Sequence, residues 1–321
     1  MTTTLRSRVL PVVLLAAGLA LVVWLVVQAG PAAVWQALRD SERWLPAIVG
    51  LEALMAVLDA VAVRGLLGPI GAQVPAAGWV RATGLAYGAC ILLPAGRLTG
   101  EAVRAGSLGA TVGIARATRA CARLQACALV GNAVISAIGI AVLFAAPQRP
   151  TMLLLALTAN GVACGALATA VFVLASQPRV GAWLRKRLAR FLPPLDGSDP
   201  AVWAVGQTLP AIGLCTLARV LQALQYGLVV VAVGGSLGVT NAFAAQAIHL
   251  VGAAVGDAIP GQLGATEGSY RAFAHVLGFA ANPARALAVA LVMRAVQLTV
   301  AAGGLLIGFA AGRFLSRTES A

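Results

Sequence analysis

The chain has 321 residues, of which 60% are hydrophobic and 10% charged, with a net charge of +13. Soluble domains carry roughly 25% charged residues, so a chain this apolar cannot cover itself in water and a soluble fold is excluded. Nucleic acid is not the partner of the positive charge either, because the basic residues sit in short clusters between apolar stretches: Arg6/Arg8, Arg116/Arg119/Arg123, Arg179/Arg185/Lys186/Arg187/Arg190 and Arg313/Arg317.

A transmembrane helix needs about 20 apolar residues, and each basic cluster is expected on the cytoplasmic side. Leu10–Gly30 is the first such stretch. Basic residues precede it as in a signal peptide, but Val9–Val27 outruns a signal h-region and reads as an uncleaved anchor. A loop, Pro31–Trp44, leads to Leu45–Val63, which returns to Arg64. Ala82–Ala110 is apolar but broken at Leu93-Pro94-Ala95-Gly96-Arg97 and flanked by Arg81 and Arg116. With both flanks cytoplasmic it cannot cross, so two half-helices meeting at the break form a re-entrant hairpin.

Gln125–Ala146 crosses outward, Thr151–Ser176 crosses back, and residues 177–200 form a cytoplasmic basic linker. Gln207–Gly234 goes out again. A second broken stretch, Asn241–Ala281, is interrupted at Ile259-Pro260-Gly261-Gln262-Leu263-Gly264, and Ala284–Gly312 returns to Arg313. The expected fold is an all-α integral membrane domain over 1–321, with about six full transmembrane helices and two re-entrant broken-helix hairpins. Both termini are expected in the cytoplasm, and the location is the cell (inner) membrane.

The two breaks share an order: an apolar residue, Pro, a Gly-containing turn, Thr near Glu, then Arg one helical turn later. Pro94 precedes Glu101 by the same interval as Pro260 precedes Glu267. Residues 10–146 and 151–312 therefore read as two repeats, each with three spans and one hairpin. An odd number of spans inverts the second copy, an architecture recurrent in transporters.

A charge at the bilayer centre costs about 2.5–3.5 kcal/mol on insertion scales, so embedded charges must pair or face water. Arg97, Glu101, Arg104, Asp257, Glu267 and Arg271 fall in or beside the hairpins, and Arg294 lies on the last span; these seven form the candidate substrate-binding set. Glu101 and Arg104 share a helix face, as do Glu267 and Arg271. Two readings stand beside each other. The pairs lock their half-helices, or the free N–H ends of the half-helices and the arginines hold a phosphate. Glu52 and Asp59 near one face of the second span, with Arg219 and Gln222 on the fifth, are weaker candidates for the same cavity. His249 and His275 lack ligand spacing, and Gly304, Gly308 and Gly312 repeat as a close-packing stripe does. The five cysteines lie in apolar surroundings without C-x-x-C spacing, and no nucleotide, metalloprotease or hydrolase motif occurs. No catalytic residue, metal or cofactor is expected.

The segments LLPAGRLTGEAVRAGSLG and IPGQLGATEGSYRAFAHVLG resemble the signature regions of the lysylphosphatidylglycerol synthase transmembrane domain, or flippase-like, family. The resemblance is specific at Pro94–Leu108, Pro260–Gly278 and, more weakly, Arg294. It implies a lipid-handling membrane domain. The full-length synthases add a soluble aminoacyltransferase, for which the stretch after the last span has no residues, so a stand-alone, non-enzymatic domain is expected. The resulting expectation is a lipid translocase for a polar or phosphorylated headgroup, with an anionic phospholipid or polyprenyl phosphate as partner, and possible lipid-biosynthesis enzymes beside it. The alternatives are a membrane-embedded lipid-modifying or glycosyl-transferring enzyme using Glu101 or Glu267 as base, and a non-transporting scaffold subunit.

Overall fold

The computed structural model describes residues 20, 23–28, 30–146, 149–176, 205–257, 259 and 262–319. The expected first span Leu10–Gly30 lies for the most part outside them, and so do the linker 177–200 and the Pro260-Gly261 pair. The described chain is helical: α1 Pro31–Asp40, α2 Leu45–Leu67, α3 Ala76–Leu92, α4 Gly96–Val112, α5 Ile114–Ala145, α6 Thr151–Ser176, α7 Val205–Ala232, α8 Val239–Gly256, α9 Ala265–Ala272 and α10 Pro283–Glu319. Among the described residues no strand occurs, and six stretches are long and apolar enough to cross a membrane. They are Pro31–Gln73, Ile114–Ala145, Thr151–Phe172, Gly206–Ala232, Val239–Gly256 and Pro283–Arg313.

Three boundaries differ from the sequence expectation. The expected loop Pro31–Trp44 is mostly helix α1. Pro31 opens it at a position whose N–H would be unbonded in any case, and Val34 is buried against Ala284 and Leu287 of α10. The third span begins at Ile114 rather than Gln125. Its basic first turns stay helical because Arg119 Nε donates back to the Ala115 carbonyl (3.2 Å) and Arg123 reaches Thr208 Oγ1 of α7 (2.7 Å). Within the expected second broken stretch, α8 alone has the length and composition of a crossing helix.

Both expected breaks are present as interruptions of helix. The chain leaves α3 at Leu92, turns through Leu93-Pro94-Ala95, and re-enters helix at Gly96. The second interruption separates α8 from α9. Among the described residues the non-glycine positions with positive φ are Ala95 (54°) and Gln262 (58°), one in each interruption. A left-handed L-residue costs roughly 1–2 kcal/mol, so the surroundings must hold both turns. Thr99 Oγ1 does so in the first by donating to the Pro94 carbonyl (2.7 Å). Glycine lets each helix pair close: a Cβ on Gly100 would lie 2.8 Å from the Ala86 carbonyl oxygen of α3, and one on Gly252 of α8 would lie 2.9 Å from Thr266 Cα.

α2 and α7 pack side by side and antiparallel, since Gln225 meets Ile48 at one end (2.9 Å) and Gln207 meets Gly68 at the other. α10 lies against α3 so closely that Gly84 and Gly304 touch backbone to backbone, while Gly308 and Gly312 seat against Arg81. The glycine stripe read from the sequence thus serves packing, with α3 as its partner. Two apolar cores result. One gathers Ile48, Ile135, Tyr226, Val229, Ile248 and Val289; the other gathers Val63, Leu108, Leu124, Ala211 and Cys215. Between them, α2 carries Glu52 and Asp59 and α7 carries Arg219 and Gln222. The polar side chains are therefore at mid-length of two antiparallel helices.

Candidate functional site

The first turn of α4 projects Arg97 onto α2, where its Nη2 lies 3.6 Å from Asp59 Oδ2. One helical turn further, Glu101 and Arg104 form the i,i+3 ion pair that the spacing calls for, at 3.3 Å. That pair is buried, and Arg104 Nε finds no acceptor.

The second interruption is built differently from the sequence expectation. Glu267 is fully buried, and its Oε2 accepts from the Gly264 N–H (2.8 Å) and from Thr266 Oγ1 (2.9 Å). The carboxylate thus folds back on the opening of α9, where helical N–H groups have no intrahelical acceptor. Its other oxygen faces Arg294 of α10 at 3.6 Å, and Arg294 also donates to Thr266 Oγ1 (3.3 Å). The expected Glu267 and Arg271 pairing is not formed. Arg271 is half-buried on α9, and Asp257 is exposed at the end of α8; among the described residues neither makes an ion pair. Of the seven residues read from the sequence, the structure thus joins Glu101 with Arg104 and Glu267 with Arg294, gives Arg97 to Asp59, and leaves Arg271 and Asp257 apart.

Between the two interruptions runs a band of polar side chains. Tyr87 of α3 donates to Glu52 Oε1, and Gln225 of α7 donates to Glu52 Oε2 (2.8 Å). Arg219 Nη1 donates to Gln222 Oε1 (2.6 Å), an oxygen that also accepts from Gln246 of α8 (3.1 Å). Tyr226 lies against His249 (ring centroids 4.9 Å apart) and Tyr270 (6.2 Å), and Tyr270 donates to the Ala245 carbonyl (2.8 Å). A cavity of about 10 Å³, the room of one water, opens among Tyr226, His249, Thr266, Arg294 and Gln297.

The band is thus a series of separate polar groups: Arg97 with Asp59, Glu52 with Tyr87 and Gln225, Arg219 with Gln222 and Gln246, and Glu267 with Thr266 and Arg294. Sequence reasoning missed Tyr87, Gln225, Tyr226 and Gln246, which are single uncharged residues in apolar helices, and Tyr270 on the short α9. The one available signal was the spacing of Arg219, Gln222 and Tyr226 along one face of α7. The band offers arginine forks, amides and hydroxyls, which suits binding of an anionic, hydrogen-bonding group. Among the described residues no three His, Cys, Asp or Glu side chains converge as metal ligands.

A family model described as the lysylphosphatidylglycerol synthase TM region matches residues 9–304. No curated protein and no solved structure gives a match.

Proposed function

Because the chain belongs to the lysylphosphatidylglycerol synthase TM region family, a family of multi-pass membrane proteins, we propose that it moves a polar or phosphorylated lipid headgroup between leaflets. The headgroup passes through the polar band while the acyl chains stay in lipid. The observation that carries this reading is the band itself. Ion pairs and amides are costly inside a bilayer and are kept where they face a substrate path, and here several such groups stand between the two interruptions.

The architecture proposed with it is an inverted repeat. α2 corresponds to α7, the α3–α4 pair to the α8–α9 pair, and α5 to α10. Two arrangements support this. The corresponding helices α2 and α7 meet antiparallel, as a two-fold axis in the membrane plane requires. The last helix of each half also packs on the interrupted pair of the other, α10 on α3 and α5 on α8. In this reading α3–α4 and α8–α9 are re-entrant hairpins, their irregular turns shielded by protein. The ion pairs at Glu101, Arg104, Glu267 and Arg294 act as latches that hold the hairpins, with Arg271 and Asp257 flanking the second. In this reading the protein sits in the cell (inner) membrane, with the basic clusters and both termini facing the cytoplasm.

The test is reconstitution into liposomes carrying a fluorescent short-chain anionic phospholipid or a fluorescent polyprenyl phosphate, with a membrane-impermeant quencher outside. The expected result is that at least one of the two lipids crosses faster than in protein-free liposomes. Crossing of both at the protein-free rate overturns the proposal.

A further inference from the structure

Of the four carboxyls in the polar band, three have an arginine within 4 Å: Asp59 with Arg97, Glu101 with Arg104, and Glu267 with Arg294. Glu52 of α2 has none among the described residues, although it is only 6% exposed. Its partners are two neutral groups on two other helices. Tyr87 of α3 donates to Oε1, and Gln225 of α7 donates to Oε2 (2.8 Å).

These partners differ from arginine in the chemistry they allow. A guanidinium only donates, so it serves a carboxylate and not the O–H of a carboxylic acid, whereas a tyrosine hydroxyl donates or accepts. The two oxygens of Glu52 are also unlike. Gln225 is fully buried, and the Nε2 that donates to Oε2 also donates to the Ile48 carbonyl (2.9 Å). That second bond fixes the amide, so Oε2 keeps its donor in either state, while Oε1 faces a hydroxyl that can turn. A proton taken from water onto Oε1 forms an O–H that donates to Tyr87 Oη as the tyrosine hydrogen rotates away, and no heavy atom has to move. The reverse rotation returns the proton to water and restores the carboxylate.

The other charged and titratable groups leave this exchange to Glu52. On α7, Arg219 and Tyr226 lie on either side of Gln225 in the chain, and Arg219 is engaged with the Gln222 amide. Arg294 of α10 is taken by Glu267, and Arg123 of α5 reaches Thr208. Asp59 follows about two turns along the same face of α2; its side chain is 25% exposed, which puts the more open end of the band on that side.

We infer that Glu52 is a proton-binding site, taking up and releasing a proton at Oε1, and that this proton is coupled to headgroup movement. The coupling rests on the proposed headgroup path and deepens it; the proton site stands without it. With Glu52 ionised, the four carboxylates of the band balance Arg97, Arg104, Arg219 and Arg294. With Glu52 protonated, the band carries one positive charge more than its carboxylates answer. Proton and anionic headgroup therefore load together and move in the same direction.

The site is tested by infrared difference spectroscopy of the purified full-length protein in lipid across a pH titration. The wild type is expected to show a protonated-carboxyl band that comes and goes with pH, and Glu52→Gln to lose it while Asp59→Asn keeps it. Tyr87→Phe, which removes the partner of Oε1, is expected to shift that band, and it carries the test where Glu52→Gln does not fold. A titrating band that survives Glu52→Gln, or that Tyr87→Phe leaves unmoved, overturns the inference and leaves the headgroup path standing; so does the absence of any titrating band. The coupling is tested in liposomes carrying the fluorescent anionic lipid in the inner leaflet. Outward crossing is expected to be faster with an acid interior than with an acid exterior, and Glu52→Gln to abolish the difference. Wild-type crossing indifferent to the gradient overturns the coupling alone. No crossing at all overturns the headgroup path, and the infrared result still decides the proton site.

Discussion

Glu267→Ala is expected to cost about 3–5 kcal/mol of folding stability, the range seen when one partner of a buried ion pair is removed. The side chain is fully buried and answers three groups at once: the Gly264 N–H, the Thr266 hydroxyl and the Arg294 guanidinium. Alanine leaves the first without its side-chain acceptor and the last as an uncompensated charge between α9 and α10. Part of that cost is repaired by removing the charge as well, because replacing both members of a buried pair by apolar groups is often close to neutral. The double variant Glu267→Ala/Arg294→Met is therefore expected to melt above Glu267→Ala alone. Thermal denaturation of wild type, both single variants and the double variant closes the cycle. A Glu267→Ala protein within about 0.5 kcal/mol of wild type, the scale of surface substitutions, contradicts the structural role given to this carboxylate.

The second large effect is expected at Gly84. A Cβ there overlaps the Gly304 carbonyl oxygen and lies 2.8 Å from the Gly304 carbonyl carbon. Both obstacles are backbone, so no side chain can swing aside and α3 must move off α10. Overpacking typically costs 1–3 kcal/mol and more where nothing yields, so even Gly84→Ala is expected at or above the top of that range. Gly303 is the matched control. It is adjacent to Gly304 on the same helix, and a Cβ there meets nothing within 4 Å. Gly303→Ala should be neutral or stabilising by up to about 1 kcal/mol through helix propensity. Equal melting of the Gly84→Ala and Gly303→Ala proteins rules out the close crossing of α3 and α10.

How far the sequence reaches can be judged from the same residues. The interruptions were legible because proline and glycine act locally: Pro94 and Pro260 are helix breakers in the sequence whatever the rest of the chain does. The Glu101 and Arg104 pair was legible for the same reason, since i,i+3 neighbours meet on any helix. That rule failed at Glu267. Arg271 has the right spacing, but the carboxylate is drawn back to the Gly264 N–H at the opening of its helix, and a residue from the distant α10 meets it there. The stripe Gly304, Gly308 and Gly312 announced a close helix contact without naming Gly84 as its partner. Arg219 was visible only as an embedded charge. That α7, which carries it, lies antiparallel beside α2 is encoded in no local pattern. The helical start of α5 at Ile114 was hidden by Arg116, Arg119 and Arg123, which lower hydropathy without lowering helix propensity.

The proposed path requires the two halves to be inverted, so that the two interrupted helix pairs enter the band from opposite faces of the membrane. Gly113 follows the first pair and Asn282 follows the second, and both are exposed. Single cysteines placed at these two positions in a cysteine-free background, treated in intact cells with a membrane-impermeant maleimide, test this directly. The cysteine at Asn282 is expected to label from outside, and the one at Gly113 only after the membrane is permeabilised. Labelling of both from the same side would contradict the inverted repeat, and with it the meeting of two hairpins in one headgroup path.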